Sequence, residues 1–453
     1  MTSDLSPVAE VAAADPDSGH RKLGLLSAST IVAASMIGAA VYTTSGYAIG
    51  ALGEPIYVLY AWCVAGVIAI CGAICYGALA HEFTASGGEY LFLSRSVHPI
   101  AGLMVGWVSL LAGFTGAIAF AATTFSEYLV SGDPFTEKAI AIGLVIGAAT
   151  LHSIGVRPGA RVQNAIVLLK IVLISAFIVI AFFNQWPRDP IAEATILKDN
   201  PPPVGFPLLS VFATQLMWIS LSYSGFNAAV YVAGEVVRPR RNVPRALVLG
   251  TIGVTIIYVA LNTIFVFAPS SESIRFNEQV ATSVAHSIGG VNFERFIRVV
   301  ILFGLFTSVT ALVMTGPRVY AKMAEDGFLP AVFRIRENGP RVAIWIQAGL
   351  AMVVICFSTL ESLLKYLGFT LSISAALSAS LVFWLHRRES SNVRVPLYPI
   401  PPILFVGGTL VTATLTAINE PRHAVAGVIT LGFGVLFYPW YRMRQSTKQQ
   451  GAN

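Results

Sequence analysis

Charged side chains are scarce in this chain of 453 residues. Asp, Glu, Lys and Arg together make up 11% of the sequence, whereas a soluble domain averages about 25%. Hydrophobic residues make up 55%, and they are gathered into long continuous runs. The scarcity of charge excludes an ordinary soluble domain, and the runs indicate an all-α integral membrane protein that lies in a lipid bilayer.

Residues of the kinds that hold metals or form covalent intermediates are also few. The four cysteines lie inside apolar runs, which predicts small buried side chains and no disulfide framework. The pair His81-Glu82 would need a second histidine at position 85 to resemble a zinc protease, and that residue is Ala85. The sequence has no phosphate-binding G-K-S/T loop. We therefore expect no catalytic residues, no metal site, no cofactor and no drive by ATP.

Twelve apolar segments are long enough to cross a membrane as helices. They lie between two polar tails, 1–22 and 445–453, which we expect to be disordered and cytoplasmic. The transmembrane domain between the tails is predicted to cover 23–444. The predicted spans are 24–50, 55–80, 99–130, 138–155, 162–184, 208–233, 246–268, 296–320, 342–360, 363–386, 399–418 and 423–441.

Lysine and arginine are distributed unevenly between the two sides that these spans define. Segments on the side of the termini hold 20 of the 29 such residues, the opposite segments hold 8, and Lys170 lies inside a span. Because loops rich in Lys and Arg stay in the cytoplasm, we predict a multi-pass protein of the cell (inner) membrane with both termini cytoplasmic. The same bias explains the net charge of +6, so no nucleic acid partner is expected.

The first span contains a weak point. Gly38-Ala39-Ala40 stands near its middle, preceded by Ser35 and followed by a run of Tyr, Thr, Thr and Ser. Small residues either pack helices closely or let the backbone open, and so many hydroxyl groups are unusual facing lipid. An opened turn would present backbone N–H groups, whose partial positive charge favours an anion such as a carboxylate.

The sixth span carries a matching weak point around Gly225, which permits a non-helical backbone. Close packing around a glycine is the alternative interpretation. Carbonyl groups released there would accept hydrogen bonds from an ammonium group. Paired breaks in corresponding halves of a membrane protein indicate a transport site, and these two would together hold a molecule with both charges, such as an α-amino acid. The second weak point comprises Ser222, Tyr223, Ser224, Gly225, Phe226 and Asn227.

Lys170 lies within the fifth span, in the run A-I-V-L-L-K-I-V-L-I-S. It follows Arg161 by about 13.5 Å of helix at the standard rise, so snorkelling of its side chain to the interface is strained but remains an alternative. An ionisable residue inside a membrane is a functional hypothesis by default. Its fixed cation would occupy the place of a coupling sodium ion, or its amine would load and release a proton.

Three acidic residues, Glu82, Glu89 and Glu235, lie at the cytoplasmic ends of predicted spans and near basic loops. We expect them to form ion pairs that close an inner gate, with plain solvated charge as the alternative. No acid is predicted in mid-span near either break. Substrates with two or more ammonium groups are therefore disfavoured.

Five motifs occur in order among these spans. They are S-M-I-G-A-A-V-Y in the first span, residues 76–92 after the second, 155–164 before the fifth, 222–246 at the sixth and 316–330 after the eighth. With these motifs the chain, from Leu23 to about Tyr441, resembles the amino acid–polyamine–organocation superfamily of permeases.

This resemblance implies a LeuT-type fold, in which 23–184 and 208–388 form inverted repeats and 395–444 adds two peripheral helices. It also implies that the first break binds the substrate carboxylate and the second break binds the ammonium group. Lys170 resembles the span-five lysine that takes the sodium position in sodium-independent members, and Phe226 and Asn227 would line the pocket or its gate. The implied carboxylate contacts are Ile37, Gly38, Ala39 and Ala40, and the implied ammonium contacts are Tyr223, Ser224 and Gly225.

Three positions depart from the family pattern. Ala40 stands where relatives usually have glycine, so its methyl group is expected to alter pocket size and substrate selectivity. Leu221 stands where an aromatic gate residue is often found, so we expect either a looser pocket or a gating role that moves to Phe226. Glu235 is a single acid where some relatives carry two, so an ion-pair gate there would be weaker.

These features together predict a sodium-independent secondary transporter of amino acids that works by alternating access, either as a proton-coupled symporter or as an exchanger. A polyamine or amine permease of the same fold is the alternative. Remote alternatives are a non-transporting amino acid sensor and an intramembrane enzyme, for which the sequence around His81 and His152 shows no convincing nucleophile–base pair or metal cluster. The expected partners are a small-molecule substrate, the lipid bilayer and protons.

Overall fold

The structure is a computed structural model that describes residues 23–130, 132–154, 160–184, 204–269, 271–334, 341–388, 391, 393–439 and 441–443. Regular secondary structure in these ranges is helical, apart from an isolated parallel bridge between Leu23 and Val236. The predicted all-α membrane architecture is thus confirmed. The two predicted tails, 1–22 and 445–453, lie outside the described residues.

The first half of the bundle runs to Phe183. Its first span consists of two short helices, and a π-helix at Ser109–Gly116 joins two others into the single span Pro99–Leu129. The α-helices are α1 (Leu25–Met36), α2 (Ala40–Leu52), α3 (Pro55–Glu82), α4 (Glu89–Ser96), α5 (Pro99–Val108), α6 (Ala117–Leu129), α7 (Pro134–Ser153) and α8 (Ala160–Phe183).

The second half begins at Phe206. A 3₁₀-helix at Ala233–Glu235 and a π-helix at Ile403–Gly407 interrupt it. The α-helices are α9 (Phe206–Tyr223), α10 (Ala228–Tyr231), α11 (Pro239–Phe267), α12 (Ser271–Ile274), α13 (Val280–Glu325), α14 (Arg341–Phe357), α15 (Leu360–Leu385), α16 (Ile400–Pro402), α17 (Gly408–Asn419) and α18 (Pro421–Phe433).

The helix count agrees with the predicted spans. Within the described ranges, 10 helices are long and apolar enough to cross a membrane, and α1 with α2 makes an eleventh span that is bent by 42°. The apolar helix α14, with 17 residues, occupies the position of the ninth predicted span. Every predicted span therefore contains a helix, while the division into two inverted repeats stays a prediction.

Two spans differ from the prediction. The sixth, 208–233, was expected to continue as a helix after its break, but α9 ends at Tyr223 and only the single turns of α10 and the 3₁₀-helix follow. The eighth was expected to begin at 296, but α13 begins at Val280 and is interrupted by non-helical backbone at Gly289 and Gly290. A hydropathy window counts apolar residues whatever path their backbone takes, so it does not detect such interruptions.

Local sequence signals set several helix ends. Asp133 precedes Pro134 at the start of α7, and its carboxylate accepts hydrogen bonds from the N–H groups of Phe135 at 3.3 Å and Thr136 at 3.0 Å. These bonds satisfy N–H groups that have no partner inside the helix, and proline in the first turn has no N–H to lose.

Small residues allow α3 and α11 to pack closely. A Cβ atom added at Gly66 would lie 2.4 Å from Thr255 Cγ2, and one added at Gly77 would lie 3.2 Å from the Pro244 ring. The close approach buries a cluster of aromatic rings behind the two interrupted spans. It comprises Trp62, Tyr223 and Tyr258, with ring centroids 5.2 to 5.9 Å apart.

The helix directions define two ends of the bundle. At the end that we call the basic end, α3 and α13 terminate and α11 begins, next to Arg238 and Arg318. At the other end, which we call the opposite end, α2 and α6 terminate and α13 begins. These names describe the protein only and imply no orientation in a membrane.

Candidate substrate-binding site

The first span is interrupted where the small residues predicted it. Helix α1 ends at Met36, Ile37 has a non-helical ψ of 85°, and helix α2 begins at Ala40. The first N–H groups of α2 have no acceptor within the helix, and they form the positive end of its dipole. The hydroxyl groups of Thr43 and Thr44 donate to the Ala40 carbonyl at 3.4 and 2.6 Å, and the Tyr42 N–H donates to the Ala39 carbonyl at 3.1 Å.

The sixth span is interrupted at Ser224 and Gly225. Ser224 has an extended backbone with ψ 142°, and Gly225 has φ +98°, which glycine adopts without strain. A Cβ atom added at Gly225 would also lie 2.8 Å from the carbonyl group of Ser35. Glycine is therefore required at this position by its backbone conformation and by its contact with α1.

The two breaks are tied together by one buried hydroxyl group. The Tyr258 hydroxyl of α11 lies 2.6 Å from the Met36 carbonyl at the end of α1 and 3.1 Å from the Ser222 carbonyl near the end of α9. Both carbonyls belong to last turns of helices, which lack N–H partners within the helix. The single hydroxyl proton of Tyr258 is therefore shared between the ends of both interrupted helices, with the shorter contact to Met36.

A cavity of about 300 Å³ lies between the breaks. This is the lower end of the range for small-molecule sites. Most of the predicted site residues line it, but Ile37 and Tyr223 are buried behind the wall, and the Tyr223 hydroxyl donates to the Trp62 carbonyl at 3.0 Å. The predicted residues that line the cavity are Gly38, Ala39, Ala40, Leu221, Ser224, Gly225, Phe226, Asn227 and Glu235.

Lys170 points into the bundle and not toward the membrane interface. Its side chain is 3% exposed, and its Nζ donates to the Ile37 carbonyl, to the Gly304 carbonyl at 3.4 Å and to Ser308 Oγ at 3.3 Å. All of these partners are neutral oxygen atoms. The ammonium group therefore holds the break of the first span against α13, and the snorkelling alternative does not describe this geometry.

Glu89 was expected to form an ion pair at an inner gate, and this expectation is wrong. The side chain is 5% exposed and lines the cavity. Its Oε1 accepts hydrogen bonds from the Tyr76 hydroxyl at 2.6 Å and from Asn227 Nδ2 at 2.8 Å, and its Oε2 accepts one from the Ser374 hydroxyl at 3.0 Å. An acid therefore does approach the second break, but it comes from α4, outside the spans, whereas the prediction concerned acids in mid-span.

Burial also changes the acidity of Glu89, which lies in α4, outside the spans. Loss of hydration raises the pKa of its carboxyl group, while the hydrogen bonds from Tyr76, Ser374 and Asn227 lower it by less, so that the net shift is upward. The result is an acid that is easier to protonate than an ordinary glutamic acid.

The basic end of the cavity carries the third predicted gate acid. Glu235 Oε1 lies 3.4 Å from Arg318 Nη1, and both side chains line the cavity while remaining partly exposed, at 47% and 38%. Exposed ion pairs contribute little stability. The pair is thus present as predicted, but it closes the cavity weakly.

The opposite end is closed by tight packing. The Phe276 N–H donates to the Gly46 carbonyl at 2.9 Å, and a Cβ atom added at Gly46 would lie 2.1 Å from the Asn277 carbonyl oxygen. The Tyr47 hydroxyl also donates to Glu278. The second half of the first span is therefore packed against the segment between α12 and α13, and the cavity extends toward the basic end.

Comparison with known proteins identifies the family. The sequence model of the family described as "Amino acid permease" matches residues 23–437. The chain belongs to the amino acid permease family. This family lies within the amino acid–polyamine–organocation superfamily, so the resemblance seen in the sequence is confirmed.

Several characterised relatives are similar to this permease over most of their length. The serine/threonine exchanger SteT of Bacillus subtilis (strain 168) is 27% identical over 444 residues, covering 95% of this chain and 99% of the relative. The Asc-type amino acid transporter 1 of Mus musculus is 24% identical, covering 92% and 80%. The b(0,+)-type amino acid transporter 1 of Homo sapiens is 25% identical, covering 92% and 87%. The permease is thus a transporter and not an enzyme.

The sequence did not identify Tyr258 as part of this permease site, and it did not predict that Glu89 would be buried there. The signal for Glu89 was the preceding Gly87-Gly88, whose φ values of +148° and +69° let the chain turn sharply into α4. A Cβ atom at Gly88 would lie 2.2 Å from the Tyr231 ring, so the turn packs directly on the second break. For Tyr258, the available signal was a phenol hydroxyl in the middle of an apolar span, because such a group usually finds a hydrogen-bond partner when it is buried.

Proposed function

We propose that this permease is a sodium-independent secondary active transporter that moves amino acids across the cytoplasmic membrane by alternating access, as a proton-coupled symporter or as an exchanger. The observation that carries the proposal is the meeting of two helix breaks in one cavity of about 300 Å³. N–H groups at the start of α2 suit a carboxylate. Carbonyl groups at the end of α9 suit an ammonium group.

A small neutral amino acid is the proposed substrate. The volume of the cavity supports a small molecule, and one relative is named as an exchanger of serine and threonine. The methyl group of Ala40 also occupies part of the cavity wall. This position is therefore proposed to contribute to selectivity by limiting the space beside the carboxylate.

Sodium independence is supported by the position of Lys170. A sodium ion would be coordinated by oxygen atoms, and the oxygen atoms that converge beside the first break, on Ile37, Gly304 and Ser308, already accept hydrogen bonds from the ammonium group. Lys170 is accordingly proposed as the coupling residue. Leu221, Phe226 and Glu235 remain the proposed gating residues.

An amine or polyamine substrate is the second candidate, and Glu89 is the observation that favours it. A buried carboxyl group on the wall of the cavity suits an additional ammonium group. However, three donors already occupy its oxygen atoms. The α-amino acid therefore stays the leading proposal.

Both termini are proposed to lie in the cytoplasm of the cell, with the basic end facing inward. Arg238, Arg241, Arg318 and Lys322 all lie at that end, next to the terminating α13 or the starting α11. Loops rich in Lys and Arg stay on the cytoplasmic side. In this orientation the cavity extends toward the cytoplasm.

The test begins with a thermal-shift screen of amino acids, amines and polyamines on the purified protein. Amino acids that raise the melting temperature are then followed in liposomes as radiolabelled uptake, with and without internal substrate, and at varied pH and sodium concentration. We expect uptake of a small neutral amino acid that is unchanged when choline replaces sodium. Stabilisation by amines alone would favour the second candidate. Uptake that requires sodium would contradict the role of Lys170, and binding without any flux would indicate a sensor.

A further inference from the structure

A sharp turn at Gly87 and Gly88 places Glu89 on the cavity wall. It is the first residue of α4, and the positive φ values of Gly87 and Gly88 direct the chain back against α10. The side chain then reaches between α3, α15 and the second break. Its carboxyl group therefore touches three elements, one of which is part of the proposed substrate site.

Within the described ranges, the surroundings of Glu89 provide hydrogen bonds and no ion pair. The titratable groups that face it are the phenols of Tyr76 on α3 and Tyr231 on α10, while α15 contributes the hydroxyl of Ser374. A buried carboxylate without a cation is costly, and it is relieved when the group takes up a proton.

The hydrogen-bond network satisfies both forms of the acid. In the ionised form, Tyr76, Asn227 and Ser374 donate three hydrogen bonds to the two oxygen atoms. In the protonated form, the Ser374 hydroxyl turns to accept from the carboxyl O–H, because a hydroxyl can both donate and accept. The Tyr76 hydroxyl also has a second acceptor in the Ala375 carbonyl at 3.3 Å. Neither form leaves Glu89 or these hydroxyls without a partner.

We propose that Glu89 is a proton-binding site of the cavity, and that its protonation controls how firmly Asn227 is held at the second break. In the ionised form, Oε1 accepts from Asn227 Nδ2 at 2.8 Å through a charge-assisted hydrogen bond, which is stronger than a neutral one. A proton from the water of the cavity neutralises the carboxylate, weakens this bond and frees the Asn227 amide for a substrate. The inference rests on the proposed function for its effect on transport, but the proton site itself does not.

The raised pKa of Glu89 supports this assignment. Because burial moves the pKa of the carboxyl group upward, the protonated form persists to higher pH than in an exposed glutamate. The acid is neutral below its raised pKa and ionised above it, so the bond to Asn227 is weak at low pH and strong at high pH.

The first experiment detects the proton directly, without substrate. Infrared difference spectra of the purified protein are recorded over a pH series, and Glu89→Gln is compared with the wild type. We expect a protonated-carboxyl band that disappears as the pH rises in the wild type and that is missing in Glu89→Gln. The exposed acid Glu325 at the basic end provides the matched control Glu325→Gln, in which this band and its midpoint should be unchanged. Identical pH series in the wild type and Glu89→Gln would overturn the proposal.

A second variant keeps the carboxyl group and changes one donor. Tyr76→Phe removes a hydrogen bond that favours the ionised form, so the midpoint of the band should move to higher pH by about one unit, a tenfold change in proton affinity. A role in packing alone would not move the midpoint. If Glu89→Gln does not fold, this shift still decides the question, and an unmoved midpoint would count against the proposal.

Transport then shows whether the proton site acts on the substrate. Flux of the amino acid found in the screen is measured against pH in liposomes. We expect the pH dependence of the wild type to follow the infrared titration and the flux of Glu89→Gln not to follow it. Absence of flux in the wild type contradicts the proposed function and leaves the infrared result standing. Glu89→Gln could instead keep the wild-type pH dependence of flux and lose only the binding of basic amino acids. That result would show that Glu89 binds ammonium groups, and it would overturn the proton assignment.

Discussion

At the scale of single residues, the lysine in the fifth span and the acid after the second span had different signals in the sequence, although both side chains are buried beside the helix breaks. Lys170 was singled out because a charge stands in an apolar run, and its side chain does reach the first break. Glu89 stands in a polar stretch where many charges are solvated, so its sequence context indicated a surface acid. The turn at Gly87-Gly88 is a local signal, but Asn227 and Ser374, which also contact Glu89, lie so far away in the sequence that they give none.

Replacement of Lys170 by methionine should separate its coupling role from stability. An ammonium group bonded only to neutral oxygen atoms is costly to bury, so an apolar side chain of similar length should leave the melting temperature close to that of the wild type. Flux should fall at least tenfold, about 1.4 kcal/mol, because Ile37 loses the donor that fixes the first break. Liposome uptake and thermal melts measure the two effects.

The matched control for this variant is Lys138→Met. Lys138 is exposed at the opposite end, where its Nζ donates to the Cys356 carbonyl at 2.8 Å, and it does not line the cavity. Its replacement should leave flux within about twofold. Wild-type flux and pH dependence in Lys170→Met would contradict a coupling role for Lys170.

At the scale of elements, runs of small and polar residues correctly predicted the positions of both helix breaks. Glycine adopts non-helical backbone conformations without strain, so a helix can be interrupted where such a run contains it. The resemblance to the superfamily implied ligand roles for Ile37 and Tyr223, and the structure places both residues behind the cavity wall. Sequence places a residue within a break, but the direction of its side chain depends on the neighbouring helices. The shortness of the helix after the second break was also not predictable from its apolar composition.

Gly225→Ala should damage the second break. The positive φ of +98° is unfavourable for alanine, and the new methyl group would lie 2.8 Å from the Ser35 carbonyl group. The backbone conformation alone should cost about 1–2 kcal/mol, which is expected to lower the melting temperature, and the displaced break should abolish stabilisation by amino acids in the thermal-shift assay.

Gly253→Ala in α11 is the control for this substitution, because no atom beyond the adjacent residues and the local helix backbone lies within 4 Å of the Cβ position there. Alanine favours a helix over glycine by up to about 1 kcal/mol, so this variant should melt at the wild-type temperature or above it and still bind. Equal behaviour of the two variants would show that neither the conformation nor the close contact at position 225 matters.

At the scale of the whole molecule, the number of spans and the family were both predictable, since each depends on patterns repeated over hundreds of residues. The match of the family over residues 23–437 agrees with the range of the resemblance. The orientation rests on a different physical quantity, the bias of 20 Lys and Arg residues against 8 between the two sides. The helices run in the alternating directions that were assumed when these residues were assigned to the two sides. Which side is cytoplasmic follows from the charge bias alone.

The native cysteines offer a test of orientation. Cys356 is exposed near the end of α14 at the opposite end, whereas Cys63 is half-buried within the span α3 and Cys71 and Cys75 are buried. If the basic end faces the cytoplasm, a membrane-impermeant maleimide added to intact cells should label Cys356 in the wild type and should not label Cys356→Ser. The exposed Glu325 at the basic end allows the reverse measurement. Glu325→Cys in the Cys356→Ser background should react only after the cells are permeabilised, and labelling of this variant in intact cells would place the basic end, and with it the mouth of the cavity, outside.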